Sequence, residues 1–138
     1  MTRYITDDAL AIVTLWMEAR GQPFEGKRAV AEVIRNRMRL RYMSDGTVAG
    51  TVLRAQQFSC WNSSDPQRIK GAQIDDSHPE VLACAEAWSR AKGPDFVLPG
   101  DAVMYLNPAA VTRQPAWAQP DRRVAVIGAH SFYRDPGA

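Results

Sequence analysis

The run Ala9-Leu10-Ala11-Ile12-Val13-Thr14-Leu15-Trp16-Met17 is apolar almost all round a helical projection. A surface helix would keep one polar face, so this pattern predicts a central, buried helix. Thr6 is placed to cap it, with Asp7 and Asp8 in the first turn, where the helix dipole favours negative charge. Gly21 and Pro23 stop it. Ala29, Val30, Val33, Ile34, Arg37 and Met38 then recur at helical spacing and predict a second helix over 25–42, ended by Ser44-Asp45-Gly46. Its apolar members would face the first helix, with Glu32 and the arginines on the other side. A short helix is expected at 48–53.

From 56 to 77 the periodicity is lost. Trp61, Asn62, Ser63, Ser64, Asp65, Pro66, Gly71, Asp75 and Asp76 read as loop. A loop this long in a small domain often carries function. Ser77 and Glu80 have capping-box spacing, with Pro79 in the first turn of a third long helix over 79–91. That helix would bury Val81, Leu82, Ala85 and Trp88 and close at Gly93-Pro94. Residues 102–106 read as a strand and Asn107-Pro108 as a turn. A proline-containing stretch, 115–120, precedes a second strand at 124–127, with residues 130–133 extending or following it. Antiparallel pairing of the two strands is expected. The fold class is therefore mainly α, a helical core with a small antiparallel β-hairpin.

Composition narrows the picture. The chain has 138 residues, which fits a single domain over 1–138. Its 17 basic residues against 15 acidic ones leave a formal charge of +2, so nothing here demands nucleic acid. Arg28, Arg35, Arg37, Arg39 and Arg41 cluster, as the solvated face of a helix or as a surface for an acidic polymer. Cys60 and Cys84 fit no metal or redox spacing and are expected as free thiols. His78 and His130 lie too far apart to suggest zinc, and no metal or cofactor is expected. No stretch reaches transmembrane length. The opening residues are polar, and the apolar run ends in Glu18 and Arg20 instead of a cleavage site, so a leaderless soluble product is expected.

Glu18 is the candidate for chemistry. It shares a helical face with Ala11, Thr14 and Leu15 and sits near the helix C-terminus. Desolvation and the dipole both favour a protonated acid there. Such an acid suits glycosidic cleavage, where the leaving oxygen must be protonated as the bond breaks. Arg20 would oppose this by turning back. The same local pattern also fits an exposed carboxylate, or a partner for an arginine such as Arg37.

Several segments resemble one family when taken in order. Glu18-Ala19-Arg20-Gly21, then Gly26, then Ala29-Val30-Ala31 with Val33 and Asn36-Arg37, resembles the opening of the spore cortex-lytic enzymes, a cell wall hydrolase family. Gln57-Phe58-Ser59, residues 102–107, and Ile127-Gly128 with His130 and Phe132-Tyr133 resemble its later motifs. The resemblance implies a lysozyme-like α+β catalytic domain that attacks peptidoglycan glycan strands between N-acetylmuramic acid and N-acetylglucosamine. It makes Glu18 the acid/base residue. Gln57, Ser59, Tyr105, Asn107 and His130 become candidates for substrate binding, although each also has a plain structural role available. Trp61 and Trp117 are candidates for stacking on sugars.

A lytic transglycosylase needs one carboxylate and leaves a 1,6-anhydromuramic end. A hydrolytic muramidase normally needs a second, and only Asp45, Asp65, Asp75 and Asp76 offer themselves, all in loops. Transglycosylation is therefore the expected route. The spore enzymes carry a signal sequence and a separate wall-binding domain, whereas here the catalytic domain is expected to stand nearly alone. That difference points to a monomeric phage endolysin, held in the host cytoplasm until a holin releases it to the wall. The competing readings are a non-catalytic peptidoglycan-binding module and a regulator that binds nucleic acid through the arginines.

Overall fold

A computed structural model describes residues 6–54, 58 and 78–135. Among them are helices α1 (Asp7–Ala19), α2 (Phe24–Leu40), α3 (Ala49–Val52) and α4 (Pro79–Ala91), and strands β1 (Ala102–Leu106), β2 (Arg123–Ile127) and β3 (His130–Arg134). The fold is mainly helical with a small antiparallel sheet, a lysozyme-like α+β arrangement.

The central-helix expectation for α1 holds: Leu10, Ala11, Thr14, Leu15, Trp16, Met17 and Ala19 are all buried. The Thr6 hydroxyl accepts from the Ala9 amide at 3.2 Å and caps the helix as expected. Thr14, the polar interruption, donates its hydroxyl back to the Leu10 carbonyl at 2.8 Å, so its burial costs no unpaired donor.

α2 ends earlier than the periodicity predicts. Arg41 takes a left-handed conformation at φ 53°, and its amide closes the last turn on Arg37 and Met38. Its guanidinium then donates to the Asp45 carbonyl at 2.6 Å, which fixes the turn.

The start of α4 also differs. His78, not Ser77, is the N-cap, its Nδ1 accepting from the Glu80 amide at 3.1 Å. Pro79 accounts for this: proline favours the first helical position, which makes the residue before it the cap. Glu80 is thereby left to pair with the buried Lys27 at 3.2 Å. Of the residues expected to be buried along α4, Val81 and Trp88 are, Ala85 is half-buried and Leu82 is exposed.

The sheet corrects the expected hairpin. β1 and β2 do not pair with each other; β3 lies between them and pairs antiparallel with both. Residues 130–134 are thus a strand in their own right. Ile127 faces His130 across a two-residue turn that opens with Gly128 at φ 58°. This is the hairpin geometry that wants glycine first. Gly128 has a second reason to be glycine. An added Cβ would come within 2.5 Å of the Gln22 side-chain oxygen and 2.9 Å of Pro23. Gln22 in turn accepts from the Ala129 amide at 2.9 Å, which seats the hairpin turn on the link between α1 and α2.

Candidate active site

Glu18 stands in the last turn of α1, half-buried. Ala11, Thr14 and Leu15, on the same face, are fully buried. Arg20 does not turn toward it. Its guanidinium lies 4.2 Å above the Trp16 ring, with one nitrogen 3.5 Å from the Trp16 carbonyl.

Among the described residues, Arg37 interacts electrostatically with Glu18. The Arg37 side chain is 2% exposed. Its Nε donates to the Val103 carbonyl at 2.6 Å, and one terminal nitrogen lies 3.4 Å from the Met104 sulfur. The guanidinium sits 4.9 Å from the Phe58 ring centre and 5.9 Å from that of Tyr42. Burial pulls its pKa down, and the neighbouring Tyr105, Tyr42 and Glu18 push it back up. The preceding residue works the same seam: the Asn36 amide donates to the Ala102 carbonyl at 2.9 Å. The Asn36-Arg37 pair therefore staples α2 to β1 and holds a positive charge beside Glu18.

The sheet supplies the other wall. Tyr105 pairs with Phe132 across β1 and β3, and His130 lies two residues along the same face. The Tyr105 and His130 rings meet edge-on at 5.0 Å. Phe132 and Phe58 approach Tyr105 at 5.9 and 6.4 Å. His130 is 7% exposed, and its Nδ1 has no partner among the described residues. Burial lowers its pKa below the ordinary 6.5, which favours the neutral ring. Glu18, Arg37, Tyr105 and His130 thus form a connected line from the end of α1 to the sheet.

The other sequence candidates fare differently. Asn107 is engaged in its turn, its side-chain oxygen accepting from the Ala109 amide at 3.0 Å. Asp45 is exposed and accepts from the amide and hydroxyl of Thr47 at 2.9 and 2.6 Å, the work of a turn. Trp117 is half-buried against Tyr133, with ring centres 5.4 Å apart. Gln57, Ser59, Cys60, Trp61, Asp65, Asp75 and Asp76 lie outside the described residues. Cys84 is buried as a free thiol. No group of three or more His, Cys, Asp or Glu among the described residues could hold a metal ion. No described helix is long and apolar enough to cross a membrane.

The clustered arginines disperse around the molecule. Arg37 is buried, Arg28 donates to the Asp95 carbonyl at 2.8 Å, and Arg39 meets Asp101 at 2.5 Å. The burial of Arg37 was masked in the sequence by its arginine neighbours. The signals for its role were its place among the apolar positions of the helical repeat and in the Asn36-Arg37 motif.

Comparison with known proteins gives one answer. Residues 21–133 match the family described as Cell Wall Hydrolase, beginning just after Glu18. The spore cortex-lytic enzyme of Oceanobacillus iheyensis is 30% identical over a match of 131 positions, gaps included, that covers 91% of this chain and 41% of that protein. That of Bacillus subtilis is 29% identical over 126 residues, 37% of its length. The chain thus spans less than half of these relatives. Among solved structures, the catalytic domain of the germination-specific lytic transglycosylase SleB from Bacillus anthracis superposes with a TM-score of 0.70 at 26% identity. The overlap covers 97% of this chain and 99% of that one. The corresponding domain of the Bacillus cereus SleB protein gives 0.66, with 97% and 94% covered.

Proposed function

This chain belongs to the cell wall hydrolase family, and on that premise we propose that it cleaves the glycan strands of peptidoglycan as a lytic transglycosylase, with Glu18 as its acid/base residue. The observation that carries the reading is the end-to-end likeness to a catalytic domain named for that activity. The bond cut is the one between N-acetylmuramic acid and N-acetylglucosamine.

The chemistry suits a single carboxylate. Protonated Glu18 gives its proton to the glycosidic oxygen as the bond from the muramic C1 breaks. The resulting carboxylate then takes the proton of the sugar's own C6 hydroxyl as that oxygen attacks C1. An anhydro ring closes, no water is consumed, and Glu18 returns to its starting form. Arg37, fixed by the Val103 carbonyl, offers positive charge to the carboxylate stage. Tyr105, half-buried, and the buried His130 ring against it form the wall along which a sugar would lie. Gln57, Ser59 and Asn107 are further candidates for holding substrate. Asp45, committed to its own turn, is a poor second carboxylate for hydrolysis. The relatives named above are spore enzymes and lend the phage setting no support.

Mass spectrometry of soluble fragments from purified peptidoglycan, with Glu18→Gln in parallel, tests this. Anhydromuramic ends from the native protein, reduced at least about a hundredfold in the variant, are the expected result. Reducing muramic ends would replace transglycosylation with hydrolysis. Absence of fragments from the folded protein on several wall types would overturn the enzymatic role of this site.

A further inference from the structure

A cavity of about 500 Å³ lies between α2, the end of α4 and the segment after it, lined in part by Glu32, Arg35, Arg39, Lys92, Phe96 and Asp101. It is remote from Glu18 in one definite sense. Glu32, Arg35, Asn36 and Arg39 share one face of α2, and Arg37, which serves Glu18, points roughly 150° away around the same helix.

Most charges in this cavity are already answered. Arg39 is paired with Asp101 at 2.5 Å and Lys92 with Asp8 at 3.0 Å. Glu32, 1% exposed, accepts the amides of Val97 and Leu98 at 2.9 Å each. Arg35 is the exception: among the described residues it makes no hydrogen bond or ion pair, and it is half-buried at the cavity wall.

Phe96 is also unusual. It is 61% exposed on a short segment pinned on both sides of it. Arg28 holds the Asp95 carbonyl at 2.8 Å, and Glu32 holds the next two amides. The fold thus presents on one cavity a phenyl ring carried on pinned backbone and a guanidinium that has no partner among the described residues.

We propose that this cavity is a second binding site, for the carboxylate of a short acidic peptide, with Arg35 taking the carboxylate in its planar fork and Phe96 covering the adjoining apolar part of the ligand. One cation of this cavity is left without a partner among the described residues, which suits a monoanion. The buried Glu32 carboxylate in the wall counts against a phosphate dianion, and the exposed ring favours an organic ligand over an inorganic one. The site does not depend on Glu18 chemistry. If the protein does cut wall polymer, the peptide stems of the same polymer would supply carboxylates of this kind.

The test is a ¹H–¹⁵N titration of the full chain with three probes: N-acetyl-Ala-Ala, whose terminal carboxylate is its one charge, the same dipeptide with that carboxyl amidated, and inorganic phosphate. The free-acid dipeptide should shift the Arg35 Nε–H and the amides of 96–98, with affinity on the order of millimolar. The amidated dipeptide and phosphate should not. Arg35→Gln should weaken the effect at least about tenfold, Phe96→Ala should weaken it too, and Glu18→Gln should leave it unchanged. The spectra themselves report whether each variant is folded. No shifts at these positions, shifts that survive Arg35→Gln, or an equal response to phosphate would each overturn the proposal. Wall cleavage measured on the same sample separates the two readings. A protein that binds the dipeptide but cuts nothing keeps this site and loses the proposed function; one that cuts without binding does the reverse.

Discussion

His130 shows how one residue can sit between structure and chemistry. It is buried beside Tyr105 and Phe132, and its Nδ1 lacks a partner among the described residues. A buried donor or acceptor left unpaired costs about 1–3 kcal/mol, so it is either filled by ligand or borne by the rest of the fold. Its lowered pKa has a consequence for stability. Below the ordinary value of 6.5 the unfolded chain takes up a proton that the folded chain resists. The contribution of the neutral ring is therefore present above pH 6.5 and lost as pH falls below it. Melting curves from pH 7.5 to 5 should show the native protein losing more stability than His130→Gln, by up to about 1.4 kcal/mol for each pH unit in the window. Parallel curves for the two would mean that the ring titrates as it does in water. Arg37 makes the opposite case. It is a permanent charge whose burial is offset by a backbone carbonyl, two aromatic faces and a carboxylate.

At the scale of elements, the hairpin turn is where sequence and site meet. Gly128 combines a positive φ with close approach to Gln22 and Pro23, the residues that follow the Glu18-Ala19-Arg20-Gly21 motif. Gly128→Ala should therefore lower stability by at least about 2 kcal/mol in denaturant unfolding. Part of that loss should be recovered when Gln22 is also shortened to Ala, because the nearest clash is with its side chain. Strict additivity of the two changes would remove the Gln22 contact as the cause. The long helices were legible because apolar periodicity and caps such as Thr6 are local signals. β3 was not, because four of its five residues are buried and the expected alternation is absent. A central strand covered on both faces has no polar side to betray it. Glu18 was legible as the proposed acid through its motif. Arg37 was legible as a possible partner for it but not as a buried group, because its anchor, the Val103 carbonyl, lies 66 residues further along the chain.

Across the whole molecule, α4 carries the heaviest packing between helices, against both α2 and α1. Asp8, at the start of α1, accepts from the Trp88 indole at 2.6 Å and from Lys92 at 3.0 Å. Those hydrogen bonds hold its carboxyl below the usual aspartate range. Lys27 on α2 reaches Glu80, and Val81, Cys84 and Trp88 enter the same core as Leu10, Leu15 and Val30. α4 thus clamps the helix that carries Glu18 against the helix that carries Arg37. If α4 leaves, both lose their shared core, so the described elements should open together. Cys84 is the built-in reporter. It is fully buried, and burial pushes its thiol to about 12, so the reactive thiolate is scarce at neutral pH. In a Cys60→Ser background, labelling of Cys84 by a disulfide reagent should run on the order of a thousandfold or more slower than in urea. Its free energy of opening should match that of global unfolding. Labelling at a much lower cost, with the rest of the protein still folded, would mean that α4 detaches alone. The packing behind the candidate site would then be a separate, weaker layer, and variants in α4 would affect wall cleavage through local opening instead of global stability.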